Sequence, residues 1–300
     1  MNSDSSTSST RSHLTIGVRD SGVGGLTVAR CLQDALPHAR LLYFADTAHV
    51  PYGGREPEEV RFFALHIAQF LIDRGAQIMV FACNTSSAVA LDAARETLCV
   101  PVVGMIEPGA LAAVTQSHSQ RIGVLATQAT VESGVYSEHI CALKREARVL
   151  EVACPRFVPL VESEQTQSPD AHDAAREYLQ PLLDFGVDTV VLGCTHYPLL
   201  LPVLREAAAK AGASHLQFVD PAEAVAREVR RIIAQHHIEY SKESSSVSQT
   251  GSHNDDIFFA SGEHDGVRRW VHRLLGINSP QMKSAPVFEM SVTSESALNL

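Results

Sequence analysis

The stretch that most constrains this chain is residues 189–200, TVVLGCTHYPLL, where an apolar run of strand type stops at Gly193 and delivers Cys194, Thr195 and His196. Residues 77–87, QIMVFACNTSS, repeat the plan with Cys83, Asn84 and Thr85. Short continuous apolar runs bounded by turn signals read as strands buried on both faces, which points to parallel sheets covered by helices. In such sheets ligands bind at the carboxyl ends of the strands. Two thiols at two such ends are therefore candidates to face one ligand from two domains.

The rest of the chain alternates in the same way. Residues 13–21 (HLTIGVRDS) predict a strand, GVGG a turn, and Leu26, Val28, Ala29 and Leu32 a helix. A second strand, 41–45 (LLYFA), ends at Asp46 and is followed by the turn-rich HVPYGGRE and a helix opening at Pro57. The Cys83 strand, a helix through Ala88, Leu91 and Ala94, and a strand over 100–105 complete the first half. After Pro108 the pattern restarts, with a helix from Gly109, strand 121–126 (RIGVLA), one helix over 130–146 and strand 149–153. The loop CPRFVPLVESE and a helix over 170–185 then lead into the Cys194 strand.

IGVRDS to FACNT and IGVLAT to LGCTH read as two copies of one plan, with Asp20 63 residues before Cys83 and Thr127 67 residues before Cys194. The expectation is an α/β protein of two similar parallel-sheet domains with a cleft between them. Residues 14–107 plus about 217–276 are expected to form the first domain and 108–216 the second, with hinges near Pro108 and Leu216. Residues 1–13 are expected to be a disordered leader, 241–256 (SKESSSVSQTGSHNDD) a mobile loop and 277–300 a loose tail.

Composition narrows the partners. A net charge of −10 with no Lys/Arg-rich run argues against a nucleic-acid or anionic-membrane surface, and no apolar run approaches spanning length. The Ser/Thr-rich leader lacks the apolar core of a signal peptide. Six cysteines without framework spacing predict free thiols in a reducing compartment, and the cytoplasm fits. A small-molecule partner is expected.

Cys31 and Cys141 fall in helical patterns, Cys99 precedes a strand and Cys154 precedes Pro155, so packing accounts for all four. Cys83 and Cys194 differ, being followed at once by Asn84-Thr85 and Thr195-His196. Acyl transfer by one Cys with a His leaves the second thiol unexplained, and no G-x-S-x-G elbow occurs. A zinc site could recruit Cys194, His196, Cys83 and Asp20, but C-x2-C and H-E-x-x-H spacings are absent. The Gly-rich turn imitates a dinucleotide fold and fails, because Thr27 stands where G-x-G-x-x-G needs glycine. None of the four lysines (Lys144, Lys210, Lys242, Lys283) ends a strand, as a Schiff-base lysine of a pyridoxal enzyme would be expected to. Proton transfer at carbon remains. Inverting a stereocentre needs a base on one face and an acid on the other, and a thiol that titrates near 8.5 can be tuned toward either role.

In GVRDSGVGGLTV, YFADTAHVPYGGR, FACNTSSA, PVVGMIEP, IGVLATQATVESGVY, ACPRFVPLVE, LGCTHYPLL and FVDPAEA, the chain resembles the glutamate racemase family over residues 16–223. The resemblance implies two flavodoxin-like domains related by a pseudo-twofold axis, the first completed by the C-terminal segment. It implies cofactor-independent interconversion of L- and D-glutamate for peptidoglycan synthesis, no metal, and a chain that can pair as a homodimer. Aspartate is the alternative substrate, and DSGVGGL favours glutamate. Carried over by motif, Cys83 and Cys194 are the acid/base thiols, assisted by Asp20 and His196 respectively. Cys83 would take the α-proton from D-glutamate and Cys194 from L-glutamate. Asp20, Ser21, Tyr52, Gly53, Asn84, Thr85, Thr195 and His196 match substrate-holding positions, and Asp46 and Glu162 match supporting polar ones. The simpler alternatives are that Asp20 caps the Gly-rich turn or the helix after it, and that Asn84 or Thr85 is the N-cap of the helix that follows them. The position before Asp20, usually aromatic in that family, is Arg19 here. Strand alternation points it away from Asp20, which predicts a packing or surface contact.

Overall fold

A computed structural model describes residues 14–238 and 255–290. The expected leader (1–13), most of the expected mobile loop (241–254) and the end of the expected tail (291–300) lie outside them.

The first half runs β1 (Thr15–Asp20), α1 (Leu26–Ala35), β2 (Arg40–Ala45), α2 (Pro57–Ile72), β3 (Ile78–Phe81), α3 (Asn84–Thr97) and β4 (Val102–Val103). The second runs α4 (Ile106–Gln116), β5 (Arg121–Ala126), α5 (Gln128–Ser133), α6 (Val135–Leu143), β6 (Arg148–Ala153), α7 (Phe157–Glu162), α8 (Pro169–Phe185), β7 (Thr189–Gly193), α9 (Leu201–Lys210) and β8 (Gln217–Val219). The chain ends with α10 (Pro221–Gln235), β9 (Ile257–Ala260), α11 (His264–Leu275) and β10 (Gln281–Ser284).

Two sheets result, ordered β10-β9-β2-β1-β3-β4 and β6-β5-β7-β8, and every pairing is parallel. Both contain the order second-first-third-fourth, as duplication of one unit would give. Strand alternation divides the cores: Ile16, Val18, Ile78 and Val80 face the layer of α1 and α10, while Met79 and Phe81 face α2 and α3. In the second sheet Ile122, Val124 and Val191 pack on α4 and α6, and Leu125, Val190 and Leu192 on α8 and α9. All of these side chains are fully or nearly fully buried, which is why the strands read as unbroken apolar runs.

The structure departs from the sequence expectations at five places. The helix expected over 130–146 is broken at Gly134, whose φ of 64° is left-handed, a conformation glycine adopts without steric cost. The loop after Cys154 contains α7, a single turn and a half too short to show a periodicity. The strand over 100–105 shrinks to Val102–Val103, because Pro101 has no N–H and contributes only its carbonyl, to Met79. β8, assigned by sequence to the first domain, pairs with β7 in the second sheet; the return to the first sheet therefore comes after Val219, and α10 packs against both α1 and α4. Residues 281–284 of the expected tail form an edge strand against β9, legible only through backbone pairing because its side chains are mostly exposed. No helix of the described residues is long and apolar enough to cross a membrane.

Candidate active site

In a second-first-third-fourth sheet the order in which strands are added reverses between the first and third strands, and the crevice at their carboxyl ends is the natural ligand site. In the first sheet those strands are β1 and β3, which end at Asp20-Ser21 and just before Cys83. In the second they are β5 and β7, which end just before Thr127 and Cys194. The two crevices face each other and enclose a cavity of about 230 Å³ lined by both thiols. That volume is below the ~300–1,000 Å³ of sites that take drug-sized ligands, so a small metabolite fits.

Cys83 is 5 % exposed and occupies the N-cap position of α3; Cys194 is 6 % exposed and precedes a turn of 3-10 helix over Tyr197–Leu200. The start of a 14-residue helix carries partial positive charge, which favours a thiolate at Cys83. Opposing it, burial and the charge of Asp20 push the Cys83 thiol up, while Arg19 and a backbone N–H at Ser86 pull it down.

Ser21, Tyr52, Gly53, Asn84, Thr85, Thr195 and His196 all border the cavity with the thiols. Asp20, Asp46 and Glu162 stand behind it. The buried Asp20 carboxylate accepts from the backbone N–H of Gly22 (3.1 Å) and Gly25 (3.0 Å), so it does cap the Gly-rich turn, and it also accepts from Thr195 Oγ1 at 3.3 Å. Asp46 accepts from the Tyr52 hydroxyl (2.5 Å) and from Ser261 (2.7 Å), and lies 2.9 Å from His49 Nδ1. The Tyr52 hydroxyl is thereby engaged away from the cavity. Glu162 Oε1 lies 2.7 Å from His196 Nε2, and His196 Nδ1 lies 3.7 Å from Cys194 Sγ. Burial lowers the His196 imidazole, but the Cys194 and Glu162 contacts outweigh it and hold it well above its usual value. Glu162 is pushed up by burial and drawn below its ordinary value by His196.

At the cavity, side-chain hydrogen bonds cross from one half to the other between Thr195 and Asp20, from Tyr136 Oη to Asn84 Oδ1 (2.7 Å), and between Thr85 Oγ1 and Thr127 Oγ1 (2.9 Å), while farther out Arg95 of α3 donates to both carboxylate oxygens of Glu107 on α4. The Tyr136 contact fixes the Asn84 amide so that its Nδ2, buried and without a protein partner, remains a free donor at the cavity. Sequence reasoning missed Thr127, Gln128, Tyr136 and the wall formed by Cys154. The internal repeat carried a signal for Thr127, since IGVLAT sets it at the strand end where IGVRDS sets Ser21. Cys83, Cys194, Asp20 and His196, weighed as zinc ligands, form no group of three donors able to hold a metal.

Comparison with known proteins fits this geometry. Residues 26–229 match the family described as Asp/Glu/Hydantoin racemase. The chain belongs to this family. It is 43 % identical over 267 residues to glutamate racemase of Desulforudis audaxviator, covering 87 % of this chain and 94 % of that protein. Among solved structures, glutamate racemase isoform RacE1 from Bacillus anthracis superimposes with a TM-score of 0.80 at 32 % identity, covering 92 % of this chain and 98 % of that one. Glutamate racemase from Francisella tularensis in complex with D-glutamate gives 0.80 at 26 % identity, covering 91 % and 97 %. In this racemase-family chain Arg19 was expected to make a packing or surface contact. It is fully buried, because position 19 of β1 faces the layer of α2 and α3 rather than solvent.

Proposed function

We propose that the chain interconverts L- and D-glutamate by proton transfer at Cα, with Cys83 and Cys194 as the two acid/base groups and no cofactor. The observation that carries this is the pair of buried thiols, each at a strand-end crevice of a different sheet, bordering one small cavity. A planar carbanion held between them can be protonated from either side, and loss of a proton to one thiol with delivery from the other inverts the centre. Cys83 removes the proton from D-glutamate and Cys194 from L-glutamate.

Around the thiols the chain supplies donors suited to a substrate with two carboxylates. The free Nδ2 of Asn84, the hydroxyls of Ser21 and Thr85, and the start of α3 converge on the cavity, with Thr195, whose hydroxyl donates to Asp20, also at its border. Asp20 is placed to support Cys83 and protonated His196 to support the Cys194 thiolate. Relatives named glutamate racemase, and the D-glutamate complex of one of them, favour glutamate over aspartate. Supply of D-glutamate to peptidoglycan synthesis in the cytoplasm, and pairing as a homodimer, belong to the same proposal.

The test is racemisation in D2O with glutamate and aspartate side by side, after exhaustive chelation. Product should carry deuterium at Cα while unreacted substrate stays protiated early in the reaction. Cys83→Ser and Cys194→Ser should both lose racemisation, because a hydroxyl is a far weaker acid than a thiol. Elimination from a glutamate analogue with a β-leaving group needs only one base. Cys83→Ser should keep it for the L analogue and Cys194→Ser for the D analogue. A variant that eliminates from both enantiomers would show one base serving both faces and end the two-thiol mechanism.

A further inference from the structure

Arg19 is the only arginine or lysine among the described residues that is buried, at 0 % exposure. The two-thiol mechanism gives it nothing to do. Burying a guanidinium is costly unless its charge is met, so its surroundings show what it is for. One terminal nitrogen donates to Ser86 Oγ and the other to Tyr52 Oη at 3.0 Å, with the guanidinium 5.2 Å from the Tyr52 ring centre and 5.5 Å from that of Phe81. Ser86 Oγ in turn donates to the carbonyl of Cys83 at 3.0 Å, and Tyr52 donates to Asp46. One side chain thus ties the segment carrying the first thiol to the Tyr52 turn, which also borders the cavity.

We propose that Arg19 is a positioning residue of the first half-site: a permanently charged group behind the cavity that clamps residues 83–86 to the Tyr52 turn and supplies the counter-charge for the Cys83 thiolate. The proposal rests on Cys83 acting as a base. The groups facing Cys83 make the need plain. Asp20 on β1 is a buried carboxylate, Tyr43 and Tyr52 are buried phenols held protonated, with Asp46 and His49 beyond Tyr52, and Cys194 approaches from the second sheet. Without Arg19, ionising Cys83 would set a second anion beside the buried Asp20 carboxylate in a site of low polarisability. On the far side the cation His196 contacts Cys194, so each thiol has one buried cation in support. Burial lowers the Arg19 guanidinium, but Tyr52, Cys83, Asp20 and Asp46 more than restore it, so its charge is fixed across the working pH range.

The experiment is peptide-mapped alkylation of Cys83 and Cys194 by iodoacetamide across pH, in the wild type and in Arg19→Met, Arg19→Gln and Arg19→Lys. In the two neutral variants the Cys83 midpoint should rise by about one pH unit or more, which is roughly tenfold slower labelling near neutral pH, with Cys194 unmoved. Arg19→Lys keeps the charge and should return Cys83 close to the wild-type profile. A Cys83 midpoint that stays put in the neutral variants, or moves together with Cys194, overturns the proposal and leaves Arg19 as packing. Should neither neutral variant fold, Arg19→Lys decides alone, and a displaced Cys83 profile there overturns it. Labelling is read without turnover, so failure here is distinct from failure of the wild type to racemise glutamate.

Discussion

Adding one methyl group at Gly24 tests whether the closed cleft is the working arrangement. Gly24 lies in the turn after β1, and a Cβ built there would sit 2.6 Å from His196 Nδ1, 2.6 Å from Thr195 Oγ1 and 2.8 Å from the Thr195 backbone carbon. All three atoms belong to the opposite half. Ordinary contact begins at 3.4 Å, so the shortfall is 0.8 Å for the side-chain atoms and 0.6 Å for the backbone carbon. A rotamer change cannot relieve the last of these, and the two halves must separate. Gly24 is not among the glycines with positive φ, so alanine brings no backbone strain of its own. A displacement approaching 1 Å at reacting groups costs about 10²-fold in rate, or about 2.7 kcal/mol of barrier. Gly24→Ala should therefore lower kcat/KM about a hundredfold. The loss must be equal for L- and D-glutamate, because the two enantiomers are isoenergetic and the ratio of their kcat/KM values is fixed at one. Each core is untouched, so the thermal midpoint should change little. Activity within threefold of wild type, with an unchanged midpoint, would refute the claim that turnover needs this closed geometry.

Two other sites give further expected outcomes. Glu162→Gln removes one of the two contacts, Cys194 being the other, that hold His196 well above its usual 6.5, so the high-pH limb of kcat/KM should move to lower pH. The same pair fixes a stability window. His196, raised, stabilises fully below pH 6.5 and loses this as pH rises through its folded value; Glu162, lowered, stabilises above 4.5 and loses this as pH falls through its folded value. The variant's thermal midpoint should accordingly fall furthest below wild type between pH 4.5 and 6.5, and a uniform deficit across pH would count against the pair. Gly266 lies inside α11 with open space around it, so Gly266→Ala should stabilise the chain by about 0.5–1 kcal/mol, seen as a higher denaturant midpoint at unchanged slope.

Much of this molecule was legible from hydrophobic runs and punctuation. The strands β1, β3, β5 and β7 are buried on both faces, which made them continuous apolar words, and the site is built from the polar residues just beyond their carboxyl ends. The features that escaped share a common cause. β10 carries exposed side chains and is a strand only because β9 offers backbone partners, while the allegiance of β8 depends on which neighbour is near; neither fact is periodic. The Tyr136–Asn84 and Arg19–Ser86–Tyr52 contacts join residues 52, 67 and 33 positions apart, and their partners become visible only once the sheets are assembled. Arg19 in particular read as a packing or surface contact, since strand alternation tells which way it points but not what meets it there; two hydroxyl acceptors and the Tyr52 and Phe81 rings decide for burial.

The duplicated sheet order offers a stereoinverting enzyme two equivalent crevices, yet the thiols in them are supported unequally. Cys83 has the fixed charge of Arg19 behind it and the carboxylate of Asp20 beside it. Cys194 has His196, whose proton is itself held by Glu162. On the proposed mechanism the free enzyme alternates between a form with Cys83 ionised and a form with Cys194 ionised, and this asymmetry sets their ratio. The ratio cannot bias kcat/KM, which the symmetry of the reaction holds equal in both directions. It can divide that constant differently between kcat and KM for each enantiomer, since each substrate meets only the enzyme form whose base faces its α-proton. Unequal KM values for L- and D-glutamate, matched by unequal kcat values in the same proportion, are therefore the kinetic signature that two like thiols in unlike surroundings should leave.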